Sequence, residues 1–204
     1  MQNYSQKLEQ EVILNYFGDK VGRLLDVGAN DGETLSNSRA LILKGWAADL
    51  VEPAPIPLMK LKQLYLDNKD VRIVDAAICD YTGIMSFWSS GTHLGKDDTD
   101  LVSTLSLADK QKWEATTTWK EITIDTYSFD TYLSLMDFPK YDFISIDAEG
   151  YDYKILEQMD LLDLGCSCIC IEHNSVETQK YIDYLTKFNM RVIYQNAENL
   201  IAVV

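Results

Sequence analysis

The chain of 204 residues is 47% hydrophobic and has no long Pro-, Gly- or Ser-rich linker, so we expect one domain over residues 1–204 with a sizeable core. Its 18 basic and 32 acidic side chains give a formal net charge of −14, with the acidic residues spread along the chain. This charge repels polyanions, and no dense stripe of Lys and Arg is present to neutralise phosphates, so nucleic acid is excluded as a favoured partner.

The N-terminal residues 1–22 predict a helix. Its apolar stripe consists of Leu8, Val12, Ile13, Tyr16 and Phe17. Because the segment also carries acidic residues, it resembles neither a signal peptide nor a transit peptide. No apolar run in the sequence approaches the ~18 residues that a membrane-spanning helix needs. We therefore expect a cytoplasmic protein that does not associate with membranes.

After this helix, short apolar runs alternate with helical patterns, which is typical of a parallel sheet with helices on both faces. The predicted strands are residues 23–29, 46–52, 71–79, 141–147 and 166–173. The predicted helices are residues 33–44, 55–67, 128–136, 151–159 and 176–188. Cys166, Cys168 and Cys170 alternate along the last strand and cannot bridge one another without distortion, so we expect buried free thiols rather than disulfides or zinc ligands.

The middle and the end of the chain depart from this alternation. Residues 83–90 predict an added extended segment, and residues 89–120 are a polar and irregular insert that we expect to act as a substrate lid. Regular alternation returns with EITIDT, residues 121–126. Residues 191–194 and 200–204 are β-rich and are separated by the turn sequence QNAEN, which predicts a hairpin. The predicted fold is therefore α/β, with a doubly wound, mostly parallel, seven-stranded sheet that ends in an antiparallel hairpin and carries helices on both faces, as in Rossmann-like proteins.

The sequence LLDVGANDGETL, residues 24–35, leads from the first predicted strand into the first crossover. Ligands of such sheets bind at the carboxyl ends of the strands, and Gly28 and Gly32 let the backbone pass close to a ligand. Ala29 and Asn30 fill the turn, and no third glycine follows at the offset that the dinucleotide fingerprint G-x-G-x-x-G requires. The turn therefore predicts a cofactor site of another kind.

Charge indicates which cofactor this turn favours. Asp26, Asp31 and Glu33 would repel a pyrophosphate, whereas they would attract the ammonium and sulfonium groups of S-adenosylmethionine, each close contact contributing on the order of a few kcal/mol. Glu52 ends the second predicted strand just before Pro53. Its spacing from the glycine turn is that of a carboxylate which accepts hydrogen bonds from both ribose hydroxyls.

The third predicted strand ends in VDAAICD. We predict that Asp75 bonds the adenine amino group and that Ala76 leaves room for the ring, with a capping or surface aspartate as the alternative for Asp75. The predicted cofactor-binding residues are Asp26, Gly28, Ala29, Asn30, Gly32, Glu52, Pro53, Asp75 and Ala76.

With these motifs in view, residues 23–174 resemble the FkbM family of class I S-adenosylmethionine-dependent methyltransferases. The similar segments are, in order, LLDVGANDGETL, VEPAPIPLMKLKQL, VDAAICDYTGIMSFW, ITIDTYSFD, FISIDAEGYDYKIL and CICIEHN. The most specific is FISIDAEGYDYKIL, which is similar to the family's Asp-x-Glu-Gly signature and the helix after it. Where the family pattern commonly has Lys two residues before the Asp, this chain has Ser145, so the contact of such a lysine is missing here.

This resemblance implies S-adenosylmethionine as the methyl donor. It also implies O-methylation of a hydroxyl of a saccharide or other small natural product, which is the usual reaction of the family. Two alternatives stay open: a non-catalytic S-adenosylmethionine-binding module, and an NAD(P)-dependent oxidoreductase, which the acidic turn disfavours.

A hydroxyl acceptor needs a positioned base or a metal ion, because an alcohol is a poor nucleophile until it loses its proton. Asp147 and His173 follow the fourth and fifth predicted parallel strands, so we expect both to face the ligand crevice. We predict His173 as general base, with Asp147 orienting the acceptor or acting as base itself. A helix-capping or core-edge histidine is the alternative for His173, and His93 in the insert is the reserve candidate.

A metal-assisted reaction would use the same strand ends. Asp147, Glu172 and Asn174 are hard oxygen donors and form the predicted Mg²⁺ site. Adjacent residues on a strand face opposite ways, so Glu172 and His173 are not expected to aim at one ion. Glu149 either contacts the cofactor or acceptor, or stabilises the start of the following helix.

A small-molecule or glycan acceptor is expected to lie under residues 88–120. Trp88, Trp113 and Trp119 either offer flat apolar faces to a sugar ring or attach the insert to the domain.

Overall fold

The structure is a computed structural model that describes residues 2–91 and 100–204. Its helices are α1 (Glu9–Phe17), α2 (Arg39–Leu43), α3 (Pro55–Leu64), α4 (Leu107–Lys112), α5 (Phe129–Leu135), α6 (Asp152–Leu156) and α7 (Thr178–Thr186). Its strands are β1 (Arg23–Val27), β2 (Ala47–Val51), β3 (Val71–Val74), β4 (Ala77–Cys79), β5 (Gly83–Ser89), β6 (Lys120–Ser128), β7 (Phe143–Ile146), β8 (Cys168–Glu172), β9 (Arg191–Gln195) and β10 (Asn199–Val203). Within these residues, no helix combines the length and the apolar character that crossing a membrane requires.

The larger sheet has seven strands in the order β3-β2-β1-β7-β8-β10-β9. β1 pairs in parallel with β2 and β7, while β2 pairs in parallel with β3 and β7 with β8. β10 runs antiparallel to both of its neighbours. The strand order reverses between β1 and β7, which opens a crevice at their carboxyl ends. The predicted doubly wound sheet with a terminal hairpin is confirmed.

The predicted third strand, residues 71–79, is divided between two sheets. β3 ends at Val74 and belongs to the large sheet, whereas β4 pairs in parallel with β6 in a small sheet of order β4-β6-β5. β5 and β6 run antiparallel over seven paired positions, from Gly83 with Thr126 to Ser89 with Lys120. The chain therefore leaves the large sheet at residues 75 and 76. The extended segments beside the insert belong to the small sheet.

The first crossover helix is shorter than the sequence predicts. In place of a helix over residues 33–44, only Arg39–Leu43 is helical. The Asp31 carboxylate accepts hydrogen bonds from the backbone N–H of Glu33 and Thr34, at 3.0 and 2.7 Å, and the Ser36 hydroxyl accepts one from Arg39 N–H. Short polar side chains that bond nearby backbone groups compete with helix formation, so this segment is a loop.

The two faces of the large sheet pack against different helices. Neighbouring residues in a strand point to opposite faces, so Leu25 and Ile144 join a buried cluster with residues of α5, α6 and α7. Leu24 and Phe143 join a second cluster with residues of α1, α2 and α3. All four cysteines are buried and free, which confirms the prediction for Cys166, Cys168 and Cys170.

Candidate functional site

A cavity of about 530 Å³ lies at the carboxyl ends of β1, β2, β7 and β8. The predicted site residues that line it are Asp26, Gly28, Ala29, Asn30, Glu52, Pro53, Asp147, Glu172 and Asn174. The predicted site residues that lie outside its lining are Gly32, Asp75, Ala76 and His173. The cavity is thus lined by most of the predicted cofactor residues, at the ends of β1 and β2, and by carboxylates at the ends of β7 and β8.

The turn after β1 is held tightly against its neighbours. Gly28 has a φ of +85°, and the N–H groups of Gly28 and Ala29 both donate to the Val51 carbonyl, at 3.0 Å each. A Cβ atom on Gly28 would lie 1.8 Å from the backbone oxygen of Asp147. Only glycine fits this position, because the turn and the end of β7 are in direct backbone contact.

Glu52 connects the end of β2 to this turn. Its Oε2 accepts a hydrogen bond from Asn30 N–H at 2.8 Å, and its Oε1 accepts one from Ala54 N–H at 2.7 Å. Burial raises the pKa of Glu52 to about 7, with smaller contributions from the Asp100 and Asp26 carboxylates. The remaining lone pairs of this carboxylate face a cavity, where they can accept hydrogen bonds from a pair of ligand hydroxyls.

Asp26 is buried at the base of the cavity. Its Oδ2 accepts a hydrogen bond from the Ser38 hydroxyl at 2.5 Å. Burial raises the pKa of Asp26 to about 6, and hydrogen bonds from Ser38 and Ser145 oppose the rise. Ser145, which stands where the family pattern commonly has Lys, therefore supports a cavity carboxylate. The role of Ser38 is not visible in sequence, because it depends on the loop that replaces the predicted helix.

Carboxylates also meet at the ends of β7 and β8. One ligand oxygen each of Asp147, Asp152 and Glu172 lies within 4.8 Å of the others. Burial and the neighbouring carboxylates of Asp152, Asp26 and Glu52 raise the pKa of Asp147 to about 8. Burial and then Asp147 raise the pKa values of Glu149 and Glu172 well above the usual range.

Asp152 is a site residue that the sequence reading missed. Its carboxylate accepts hydrogen bonds from the N–H groups of Ala148 and Gly150, at 2.7 and 3.0 Å. These bonds stabilise the turn after β7 and direct Asp152 back toward Asp147. A spacing of five residues between the two carboxylates was the only signal, and it reads equally well as a helix start.

His173 does not face the cavity, which corrects the prediction that it acts there as general base. Its Nδ1 lies 3.0 Å from the backbone N of Ser175, which donates to it, and 2.9 Å from the Thr178 hydroxyl. Because successive residues at a strand end point to opposite sides, Glu172 faces the cavity and His173 is buried toward α7. Burial lowers the pKa of His173. Of its two alternatives, the core-edge histidine describes these surroundings, because the ring is buried and no side chain caps the N-terminus of α7.

Asp75, Ala76 and Gly32 also lie outside the cavity lining. The Asp75 carboxylate is exposed and pairs with Lys62 Nζ at 3.0 Å, because the chain turns away from the large sheet at this point. The next residues, Ala77 and Ile78, line the cavity instead. A Cβ atom on Gly32 would lie 2.7 Å from Leu61 Cδ1, so this glycine permits packing against α3.

Described residues of the insert form part of the cavity wall. Residues 101–103, Leu105 and Trp113 line it together with Phe87 of β5. Thr104 exchanges backbone hydrogen bonds with Trp88, and its hydroxyl donates to the Glu149 carbonyl at 2.7 Å.

The three predicted tryptophans have different surroundings. Trp113 lines the cavity, whereas Trp88 and Trp119 do not. The Trp88 ring packs under the Lys110 ammonium, with 5.0 Å from Nζ to the ring centroid. His93, the reserve base, lies outside the described residues.

The lining of the cavity is strongly acidic. Its acidic residues are Asp26, Glu52, Asp100, Asp147, Glu149, Glu172 and Glu198, and within residues 2–91 and 100–204 no Lys or Arg lines it. A cavity of this charge favours cationic ligands and repels the phosphates of a dinucleotide.

Several solved structures share the fold. Methyltransferase FkbM from Methylobacillus flagellatus KT has a TM-score of 0.56 and 14% identity, over 91% of this chain and 44% of that one. Precorrin-6y C5,15-methyltransferase from Geobacter metallireducens GS-15 has a TM-score of 0.52 and 13% identity, over 100% and 92%. Ribosomal protein L11 methylase from Lactobacillus delbrueckii subsp. bulgaricus has a TM-score of 0.52 and 12% identity, over 100% and 80%.

These identities are low, so the structural similarity establishes the fold alone. The chain spans less than half the length of the M. flagellatus protein, with 44% of that chain covered. No protein of curated function matches the chain.

The family model described as the methyltransferase FkbM domain matches residues 26–192. The match begins in β1 and reaches β9, so it contains the cofactor turn, Glu52 and the carboxylates after β7 and β8. The chain therefore belongs to the FkbM family of S-adenosylmethionine-dependent methyltransferases.

Proposed function

We propose that this methyltransferase acts on a hydroxyl of a small-molecule or glycan acceptor, with Asp147 as the residue that receives the hydroxyl proton. The observation that carries the proposal is the position of Asp147. Its N–H donates to the Val27 carbonyl at 2.9 Å, directly beside the cofactor turn, and its carboxylate lines the cavity. The pKa of about 8 that burial and neighbouring carboxylates give Asp147 suits a base that operates near neutral pH.

In this proposal, S-adenosylmethionine lies along the ends of β1 and β2. Glu52 accepts hydrogen bonds from the ribose hydroxyls, and the turn from Gly28 to Asn30 follows the amino-acid portion. Ala77 and Ile78, rather than Asp75 and Ala76, contact the adenine. Support comes from the two backbone hydrogen bonds that fix Glu52 in the cavity and from the acidic lining, which attracts the ammonium and sulfonium groups.

The chain has three tasks in the transfer. It aligns the acceptor oxygen with the methyl carbon and the sulfur, it excludes water, and it accepts one proton. As the new O–C bond forms, the C–S bond breaks and its electron pair returns to sulfur, so S-adenosylhomocysteine leaves as a neutral thioether. The hydroxyl proton passes to Asp147. His173 has no part in this step, because its ring is buried toward α7.

The acceptor is proposed to bind between Asp147 and the insert. Phe87 and Trp113 supply apolar surface on that side of the cavity, which suits the C–H face of a sugar ring or an aromatic ring. The absence of Lys and Arg from the described part of the lining disfavours phosphorylated acceptors and nucleic acid.

Two measurements test the function. Calorimetry is expected to show micromolar binding of S-adenosylhomocysteine and no binding of NAD. Labelled methyl transfer is then measured with a panel of sugars, polyols, phenols and amines, and product is expected with hydroxyl compounds only. Binding of NAD alone would indicate an oxidoreductase. Cofactor binding without transfer to any acceptor would indicate a binding module, and transfer to amines alone would contradict O-methylation.

The affinity for S-adenosylhomocysteine is expected to fall about tenfold between pH 8 and pH 6. Glu52 has a pKa of about 7 in the free protein, and its ionised form is the stronger acceptor for the ribose hydroxyls. Below pH 7 a proton must therefore be released when the ligand binds. Calorimetric titrations across this range check the slope. In Glu52→Gln the affinity at pH 8 should be lower and the slope shallower; equal slopes in the two proteins would contradict the assignment.

A further inference from the structure

The carboxylates at the ends of β7 and β8 are arranged as ligands rather than as isolated charges. Asp147 follows β7, Asp152 begins α6 and Glu172 ends β8, and one oxygen of each lies within 4.8 Å of the others. Two oxygens on opposite sides of a Mg²⁺ ion lie about 4.2 Å apart, and on opposite sides of a slightly larger divalent ion closer to 5 Å. The three oxygens can therefore converge on one ion with small side-chain movements.

Glu172 gives a second, independent observation that points to a ligand at this cluster. The residue is 8% exposed, and no described residue donates a hydrogen bond to its buried Oε2. Asn174 bonds to the same carboxyl group, and one oxygen of that group lies within 4.8 Å of ligand oxygens of Asp147 and Asp152. A buried carboxylate oxygen without a donor is costly unless a proton or a cation accompanies it.

The described neighbours do not supply that cation. Lys112 is the basic residue whose charge reaches Glu149 and Glu172, but its ammonium pairs with Asp109 at 2.8 Å on the insert helix α4. The cluster after β7 and β8 therefore holds more carboxylates than its described neighbours neutralise, and protons or an added cation must balance them.

We propose that Asp147, Asp152 and Glu172 bind one hard divalent cation, Mg²⁺ or Mn²⁺, through one oxygen each. This replaces the ligand set predicted from sequence, since Asp152 takes the place given to Asn174 and Asn174 orients Glu172. All-oxygen donor sets with several carboxylates favour such ions. The two N–H groups that hold Asp152 fix its direction, as groups behind a metal ligand commonly do.

The cation's part in catalysis rests on the proposed function. A divalent ion beside Asp147 would coordinate the acceptor oxygen and lower the pKa of its hydroxyl. The ion would also lower the pKa of Asp147, whose second oxygen stays available to receive the proton. Binding of the ion does not depend on this role and is measured separately.

The test is a titration of chelator-treated protein with Mn²⁺, followed by electron paramagnetic resonance of the free ion, in the presence of S-adenosylhomocysteine. We expect one saturable Mn²⁺ per chain, displaced by Mg²⁺. Asp152→Asn and Glu172→Gln should each weaken Mn²⁺ binding at least about tenfold, because each removes one of three charged ligands. Asp163→Asn, at a surface carboxylate that is 76% exposed, should bind as the wild type does.

Circular dichroism and S-adenosylhomocysteine affinity verify that each variant is folded. Mn²⁺ binding that is equal in the wild type and both cluster variants, or no saturable binding to the folded wild type, would overturn the proposal. Methyl transfer is assayed in parallel. Mn²⁺ binding without transfer refutes the proposed function and leaves the metal site standing, whereas transfer that is unaffected by chelator, with no Mn²⁺ bound, refutes the metal site alone.

Discussion

Asp147→Asn is expected to lower kcat for methyl transfer about 100-fold or more while it changes the affinity for S-adenosylhomocysteine by less than about threefold. The substitution keeps the size and planar shape of the side chain but removes its capacity to take a proton. The backbone contact between Asp147 N–H and Val27 O, which stabilises the cofactor turn, is retained. Loss of turnover with retained cofactor binding is therefore the signature of a residue that acts on the acceptor.

Single-turnover rates with labelled S-adenosylmethionine, together with calorimetry, separate the two quantities. The matched control is His173→Asn, whose side-chain oxygen can replace Nδ1 as the acceptor for Ser175 N–H. This variant should keep kcat within about threefold of the wild type, because His173 lies outside the cavity. If His173→Asn lost activity while Asp147→Asn kept it, the assignment of the base would be reversed.

Gly28→Ala is expected to destabilise the protein by about 3 kcal/mol or more and to abolish cofactor binding. Two effects add. The φ of +85° is unfavourable for a residue with a Cβ atom, and that atom would lie 1.8 Å from the Asp147 backbone oxygen. Relief of the clash requires the turn after β1 to move away from the end of β7. That movement breaks the hydrogen bonds to Val51 O that place Ala29 and Asn30 beside Glu52.

Thermal unfolding measures the effect, and a decrease in Tm of about 10 °C is expected for a chain of this length. Gly45→Ala is the control, since Gly45 has a φ of +92° but a Cβ atom there would meet nothing within 4 Å. Its cost should be limited to backbone strain of about 1 kcal/mol. Equal destabilisation by the two substitutions would show that conformation alone, and not the contact with β7, makes Gly28 necessary.

Much of the fold, and the convergence of the glycine turn and Glu52 on one cavity, was predictable because the signals are local. Alternation of apolar strands and amphipathic helices leads to a parallel sheet, and a glycine turn after the first strand places its backbone at the carboxyl edge. The Glu52 prediction used the same logic, because the residue ends the adjacent strand. β10 and its hairpin followed from two β-rich runs around a turn sequence. None of these inferences needed knowledge of side-chain direction.

The positions of the other site residues were less predictable, because they depend on side-chain direction and on neighbours that are distant in the sequence. His173 and Glu172 are adjacent in sequence, and only the strand's final orientation decides that Glu172 faces the cavity. Asp75 would have faced it had β3 continued, but the chain leaves the large sheet one residue earlier. Asp152 joins the carboxylates only because two backbone N–H groups of the turn after β7 donate hydrogen bonds to its side chain and hold it there.

The amino-acid sequence by itself determined the class of sheet, the position of the glycine turn after β1 and the acidic character of the cavity. These properties follow from composition and from the spacing of apolar residues, which repeats every second residue in strands and about every four residues in helices. Tertiary structure alone decided which carboxylates converge, that Ser145 and Ser38 support Asp26, and that His173 is directed toward α7. Convergence of side chains is a property of distances between strands, and such distances exist only once the strands have packed.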